Sequence, residues 1–259
     1  MIWLYDLPTA VMVTLFSLVF VGFTWVGAIF IRPFLRLLVR SQPGLNDIVG
    51  YVLSSHCVFF GLLLGLLAVG SYQSMSDIEK VIVREAGLLR AFYRSMQSYP
   101  EPVRSETLPL IKEYVRYVIE DSWPLQRRGI ISEGGVPRMN AVQSKLFAFE
   151  PQTKGQEILH DKTVEQFNQM AEVRRQRIQS ANSGISPIMW YVVGIGSLIT
   201  VVMVWLFDTR LTAQFILGGA LALFLGTVVS LIVAMDRPFN GDVSIGPEAY
   251  QAIYSRMTD

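Results

Sequence analysis

Few residues in the chain are of types that do chemistry, and each has a plain structural reading beside the chemical one. There is one cysteine, Cys57, inside an apolar run. A single thiol makes no disulfide within the chain and no zinc site, so Cys57 reads as a small buried hydrophobe. There are two histidines. His160, with Asp161 beside it, reads as a solvated surface residue. His56 lies in an apolar run, where an ionisable group is costly and faces a bundle interior or water. It is either a neutral, hydrogen-bonded structural residue or part of a pore or gate. The densest acidic pair, Glu120-Asp121, has no Asp-x-Asp calcium loop around it and reads as a solvated helix end. There is no phosphate-cradling glycine loop, no His-Glu-x-x-His and no Gly-x-Ser-x-Gly. The sequence therefore assigns no catalytic residue, no cofactor and no metal, and it points away from an enzyme.

The most informative pattern is made of small residues. Ser54, Val58, Gly61, Gly65, Ala68 and Tyr72 follow one another at spacings of 4, 3, 4, 3 and 4, which places them on one narrow helical seam. Gly218, Ala222, Gly226 and Ser230 are each four apart. Small residues let helix backbones approach closely in lipid. Either seam could serve helix packing. The first could instead face a symmetry axis and line a pore, whose small and apolar walls would gate by dewetting.

These patterns sit in four uncharged runs. Of the 259 residues 51% are apolar and 17% charged, with a mean hydropathy of +0.39. Of 22 Lys and Arg, 16 lie between Asp77 and Ser183, as do 14 of 21 Asp and Glu. The middle thus carries 16 − 14 = +2 and the flanks are almost uncharged. That near-neutral balance excludes a nucleic-acid partner, which would need a strongly basic patch. No Asp, Glu, Lys or Arg occurs from Leu7 to Ile31, a run of 25 residues, and about 20 suffice to cross a bilayer core. A signal peptide fits poorly, because only Asp6 is charged before the run and Arg32-Pro33 follows it. Three further runs span about 48–76, 186–207 and 211–235. Asp208-Thr209-Arg210 alone separates the last two, a tight connection between antiparallel helices. Trp190, Tyr191 and Trp205 sit near the ends of the third run, as interfacial aromatic residues do.

The expected fold class is all-α, with four transmembrane helices in two hairpins flanking a central helical extramembrane domain. The expected divisions are a first hairpin over 1–76, the helical domain over 77–185, a second hairpin over 186–235 and a tail over 236–259. Arg32, Arg36 and Arg40 follow the first run in a short loop, which the positive-inside rule places in the cytoplasm, with the central domain outside it. Lys80, Arg84, Arg90 and Arg94 after the second run and Arg174, Arg175 and Arg177 before the third point the opposite way, though long domains follow the rule less closely.

In the central domain, no Pro or Gly interrupts the chain at the membrane exit before Gly87, so the second run continues as one rod. About 50 residues at ~1.5 Å each would extend ~75 Å. Pro100 and Pro102 end it. A second helix over about 102–122 carries Val103, Thr107, Leu110, Tyr114 and Tyr117 on one stripe and stops at Trp123-Pro124. A glycine-rich loop over 127–137 precedes a short helix over 139–149. A last helix over about 154–181 has Val164, Phe167, Ala171, Arg174 and Ile178 on one face. Asn182-Ser183-Gly184 closes it, and Pro187 opens the third membrane run. The domain is too thin in apolar residues for a large core of its own, so its stripes bury against copies or against each other.

The end of the fourth run reads Asp236-Arg237-Pro238-Phe239-Asn240-Gly241-Asp242-Val243-Ser244-Ile245-Gly246-Pro247. This resembles the closing motif of a large membrane family labelled bestrophin-like. The Asn46-Asp47 approach to the second run is similar to the same family. So are Arg84 through Leu89, Tyr117 through Trp123-Pro124, and the Arg174-Arg175-Gln176-Arg177 stretch leading to Pro187 and Trp190. Together they cover nearly the whole chain. The resemblance implies a kinship with bestrophins, which are pentameric anion channels with a cytosolic helical domain, a sidedness opposite to that given by the short-loop arginines. Bestrophins also bind calcium through an acidic cluster that this sequence lacks. Within the motif, Asp236-Arg237 reads as an adjacent charged pair at the membrane interface, Pro238 stops the helix, Phe239 follows and Gly241 permits a turn. The motif either folds the tail back onto the helical domain or handles ions.

The leading expectation is a homo-oligomer in a lipid bilayer, that of a bacterial inner membrane, conducting small inorganic anions along an axis lined by the second run. The alternative is a non-conducting scaffold or sensor whose helical domain binds a partner.

Overall fold

The computed structural model describes residues 7–39, 44–180, 184–241 and 243–258. Asp6, Arg40, Asn182, Ser183 and Asp242 lie outside them. Every regular element among the described residues is helical. Helices α1 (Thr9–Phe30), α3 (Leu45–Gln97), α8 (Pro187–Leu206) and α9 (Leu211–Asp236) are long and apolar enough to cross a membrane. The short helix α2 (Arg32–Val39) follows α1. The remaining elements are α4 (Val103–Tyr117), α5 (Trp123–Gln126), α6 (Gly135–Phe147), α7 (Lys154–Ser180) and α10 (Glu248–Thr258).

The chain divides into two compact units. One comprises Met1–Ser74, Gly184–Asp236 and Gly241–Val243, and the other Met75–Ser183, Arg237–Asn240 and Ser244–Asp259. Helix α3 contributes to both. Its 53 residues run without a break through Gly87, the first residue expected to interrupt it. Gly87 lies on the solvent side of the helix with open space beyond its Cα, so only its intrinsic helix cost opposes continuity.

In the first unit α9 is the packing centre. Half of its apolar window is buried, against 11% for that of α3. Its small residues are used for close approach to α1. A Cβ on Gly226 would lie 2.7 Å from the Ser17 Cα, and the Ser17 and Thr227 hydroxyls meet at 3.2 Å beside this crossing. Ala222 and Ser230 are buried on the same stripe. Indole groups then tie helix to helix: Trp25 Nε1 donates to the Phe215 carbonyl at 3.0 Å and Trp205 Nε1 to that of Thr24 at 2.9 Å. The Trp205 ring occupies the space where Gly27 has no side chain.

The two loops of this unit are also joined. Buried Arg32 donates to the Phe207 carbonyl at 3.2 Å and to that of Thr209. Arg36 pairs with Asp208 at 2.5 Å. The Asn46 side chain donates to the Asp208 carbonyl at 3.1 Å and accepts from the Asp208 N–H at 2.7 Å. The arginines after the first span thus satisfy the carbonyls left open where α8 ends.

The second unit does build its own core, contrary to the expectation from its composition. Ile82, Leu89, Phe92 and Met96 of α3 meet Ile111, Tyr114 and Val115 of α4, Leu146 of α6, and Phe167 and Met170 of α7. Phe239, Tyr250, Ile253 and Met257 from the C-terminal segment complete it. Helix α10 was not marked by the sequence pattern, and it supplies apolar surface that the central stretch lacks. Trp123-Pro124 does not stop the helical path either. A π-helical turn, Val118–Ser122, widens the backbone pairing just ahead of Pro124, which then takes an early position in α5. A wider turn tolerates the missing proline N–H that a regular helix would not.

Gly226→Ala should lower the detergent-solubilised protein's stability by about 1–3 kcal/mol, because the atom it meets is backbone and cannot swing away. Gly87→Ala should raise stability by about 0.5–1 kcal/mol. Paired thermal melts would show both, and equal melting of Gly226→Ala and wild type would refute the close crossing.

Candidate functional site

The α3 seam is where the sequence left open either helix packing or a pore lining. Ser54, Val58, Gly61, Gly65 and Tyr72 are exposed in the single chain, and Ala68 is half-buried. Val58 is 69% and Tyr72 61% exposed, and a Cβ on Gly61 or Gly65 would meet nothing within 4 Å. The two small-residue stripes therefore differ. That of α9 is consumed by packing on α1 and, at Gly218, on Val204 of α8. That of α3, apart from half-buried Ala68, is not covered by the described residues of its own chain.

His56 points elsewhere. Its Nε2 lies 3.1 Å from the Gly196 carbonyl and 3.0 Å from the Thr200 Oγ1 on α8. The Thr200 hydroxyl spends its own proton on Gly196 O at 2.9 Å. Both partners accept toward the ring, which places a proton on Nε2. Phe60 stacks on the imidazole at 5.4 Å and fills the space left by Gly196. This arrangement fixes α3 to α8 on the side away from the small-residue seam.

The closing motif divides its work. The Asp236 carboxylate accepts the Ile185 N–H at 2.5 Å, at a point where Ser186, the residue capping α8, makes no side-chain cap of its own. A carboxylate beside a helix start also opposes the positive end of the helix dipole. Gly184 leaves room for it, since a Cβ there would lie 3.2 Å from Oδ1. In the second unit the Pro238 carbonyl accepts the Ile245 N–H at 2.8 Å, and Phe239 is fully buried against Trp123, 5.6 Å between ring centroids. Gly241 has φ +85°, a left-handed conformation that residues with a Cβ avoid.

A buried polar centre in the second unit was not singled out from the sequence. Arg177 of α7 is paired with Glu85 of α3, both almost wholly buried, through Nε–Oε2 at 2.7 Å. Arg177 also donates to the Gln126 amide oxygen at 3.0 Å. Its guanidinium lies 5.6 Å from the Trp123 ring centroid and 5.7 Å from that of Tyr250. The Tyr114 hydroxyl donates to Glu85 Oε1 at 3.4 Å. Burial alone would lower the Arg177 pKa, but the facing Glu85 carboxylate carries it well above its usual value. Burial, followed by the Glu85 charge, pushes the Tyr114 phenol up to about 12. The buried face of α7 accordingly runs Thr163, Phe167, Met170, Val173 and Arg177. The expected stripe included Val164, Ala171, Arg174 and Ile178, which are only half-buried. The face is rotated because Arg177 has a carboxylate to meet. A sequence signal existed: Glu85 falls on the apolar repeat Ile78, Ile82, Leu89, Phe92, where a charge requires a partner.

An all-helical chain with four apolar spans, whose polar unit closes over a neutralised internal ion pair, defines an integral membrane protein. The chain matches the family described as Bestrophin-like domain over residues 18–250, and it belongs to that family. Its fold is similar to crystal structures of two point variants of a bacterial bestrophin homologue from Klebsiella pneumoniae. One is 13% identical with a TM-score of 0.66, covering 95% of this chain and 97% of that one. The other is 13% identical with a TM-score of 0.65, covering 95% and 98%. A third structure, described as a membrane protein, is 12% identical with a TM-score of 0.66 over 95% of this chain and 97% of that one. No curated protein matches.

Removing one partner of the buried pair, by Glu85→Gln or Arg177→Met, should cost about 3–5 kcal/mol. Chemical denaturation would read this, and a loss below about 1 kcal/mol would show that the pair is not desolvated. Tyr114 gives a pH test. Its folded value is raised, so its contribution is intact below pH 10, the ordinary tyrosine value, and disappears as pH climbs through about 12. Tyr114→Phe should remove part of the alkaline destabilisation across that interval, followed by tyrosinate absorbance alongside unfolding.

Proposed function

We propose that the protein is a homo-oligomeric channel for small inorganic anions, its pore lined by the α3 seam of Ser54, Val58, Gly61, Gly65, Ala68 and Tyr72. The observation that carries this reading is the contrast between the two small-residue stripes. The α9 stripe is filled by α1. The α3 stripe is left open by its own chain, in the span that is least buried, at 11%. Copies arranged around an axis would use that face, and membership of the bestrophin-like family supports anions as the permeant species and five as the number of copies. A wall of glycine, alanine, serine, valine and tyrosine offers no fixed charge. It would conduct when wide enough to stay wet and close by dewetting when narrowed. His56, bonded to α8, acts in this reading as a fastener that keeps α3 in register rather than as a gate. The expected location is a bacterial inner membrane.

Purified protein in planar bilayers with chloride salts should give unitary currents. Gly65→Leu should reduce conductance by about tenfold or more, because it narrows an apolar constriction, while leaving the melting temperature within a few degrees. Absence of current across salt, pH and voltage would sink the proposal. So would wild-type conductance in Gly65→Leu, or a purified species that is monomeric.

A further inference from the structure

The second unit carries a groove of about 400 Å³ between α6 and α7. Its polar lining is Asn140, Gln143, Asn168, Arg174 and Arg175, and its apolar lining includes Met139 and Phe167. No carboxylate lines it. Two arginines and three carboxamide residues thus line one cleft, together with the buried Met139 and Phe167.

Arg174 is held in place from behind. Its guanidinium lies 6.0 Å from the Tyr114 ring centroid. A Cβ on Gly135 would lie 2.7 Å from an Arg174 terminal nitrogen, so that glycine leaves the space the guanidinium fills. The Arg174 Nε is buried and has no hydrogen-bond partner, an arrangement that costs stability unless something completes it. Arg175 pairs with Glu172 at 2.9 Å, but both side chains are more than half exposed, so this partner is easily exchanged.

We infer that this groove is a binding site for a small organic anion, a carboxylate with a short apolar body. The guanidinium groups would take the carboxylate, for which their planar donor fork is suited. The carboxamides would take its remaining lone pairs, and the methionine–phenylalanine floor the apolar portion. A purely inorganic anion would leave the floor unused. The site lies wholly in the second unit, and its occupancy is read by binding rather than by current, so it stands or falls independently of the channel reading.

The test is calorimetric titration of the full-length protein in detergent with hexanoate, and with hexanol and inorganic phosphate as comparisons. Saturable binding of hexanoate to one site per chain is expected, with hexanol and phosphate each at least tenfold weaker. Arg174→Gln should weaken hexanoate at least tenfold, and Gln143→Ala severalfold. Arg174 also touches Tyr114, so Arg175→Gln serves as the variant least able to disturb the fold, and it too should weaken binding. The inference is overturned if hexanoate shows no saturable binding. It is equally overturned if phosphate or hexanol binds as well as hexanoate, or if Arg174→Gln and Arg175→Gln both bind like wild type while melting normally.

Discussion

The Glu85–Arg177 pair is the constraint around which the second unit is organised. Two opposite charges are withdrawn from water and must satisfy one another, since either alone in that interior would be prohibitively desolvated. Meeting that requirement fixes the rotation of α7 against α3. It also draws in Gln126 from the helix after the π-turn, Tyr114 from α4 and Tyr250 from α10. Those contacts explain why the helical path bends through Val118–Ser122 instead of ending at the tryptophan–proline pair. They explain as well why the last eleven residues of described chain form a packed helix.

The first unit obeys a different rule. In lipid the backbone must be satisfied within the chain, and apolar side chains gain nothing from leaving one hydrocarbon environment for another. Cohesion then comes from close backbone approach and from the few polar groups available. Gly226 against Ser17, the two indole bonds, and the carbonyls gathered by Arg32 are the instances here. The same rule gives the α3 seam its interest. Its small residues recur at regular spacing on a face that, apart from Ala68, the described residues of the chain leave uncovered.

Much of the architecture was legible in the residues. Uncharged runs of sufficient length mark the spans, because a charge within the bilayer is costly. The absence of proline and glycine between Ser76 and Gly87 marks the long rod, and Pro187 marks the start of α8. The limits fell where a local pattern is overridden by a distant partner. Arg177 looked like one of three basic residues flanking a membrane segment, and only Glu85, ninety-two positions earlier, makes it an interior residue. Helix α10 lies in a stretch read only as a tail, and the role of its Tyr250, Ile253 and Met257 stripe shows only where they fill the core. The groove between α6 and α7 was invisible for the same reason, since Asn140 and Arg174 belong to different helices.

The sequence by itself determined how many times the chain crosses a membrane, where its polar unit lies along the chain, and which faces carry small residues. These are one-dimensional properties, set by the free energy of transferring each segment into lipid and by helical periodicity. Only the tertiary structure decided which small-residue stripe is spent on α1–α9 contact and which stays open. It alone turned His56 toward α8, and it alone brought Glu85 to Arg177. Each of these depends on which helix lies opposite, a relation between distant residues that no single segment encodes.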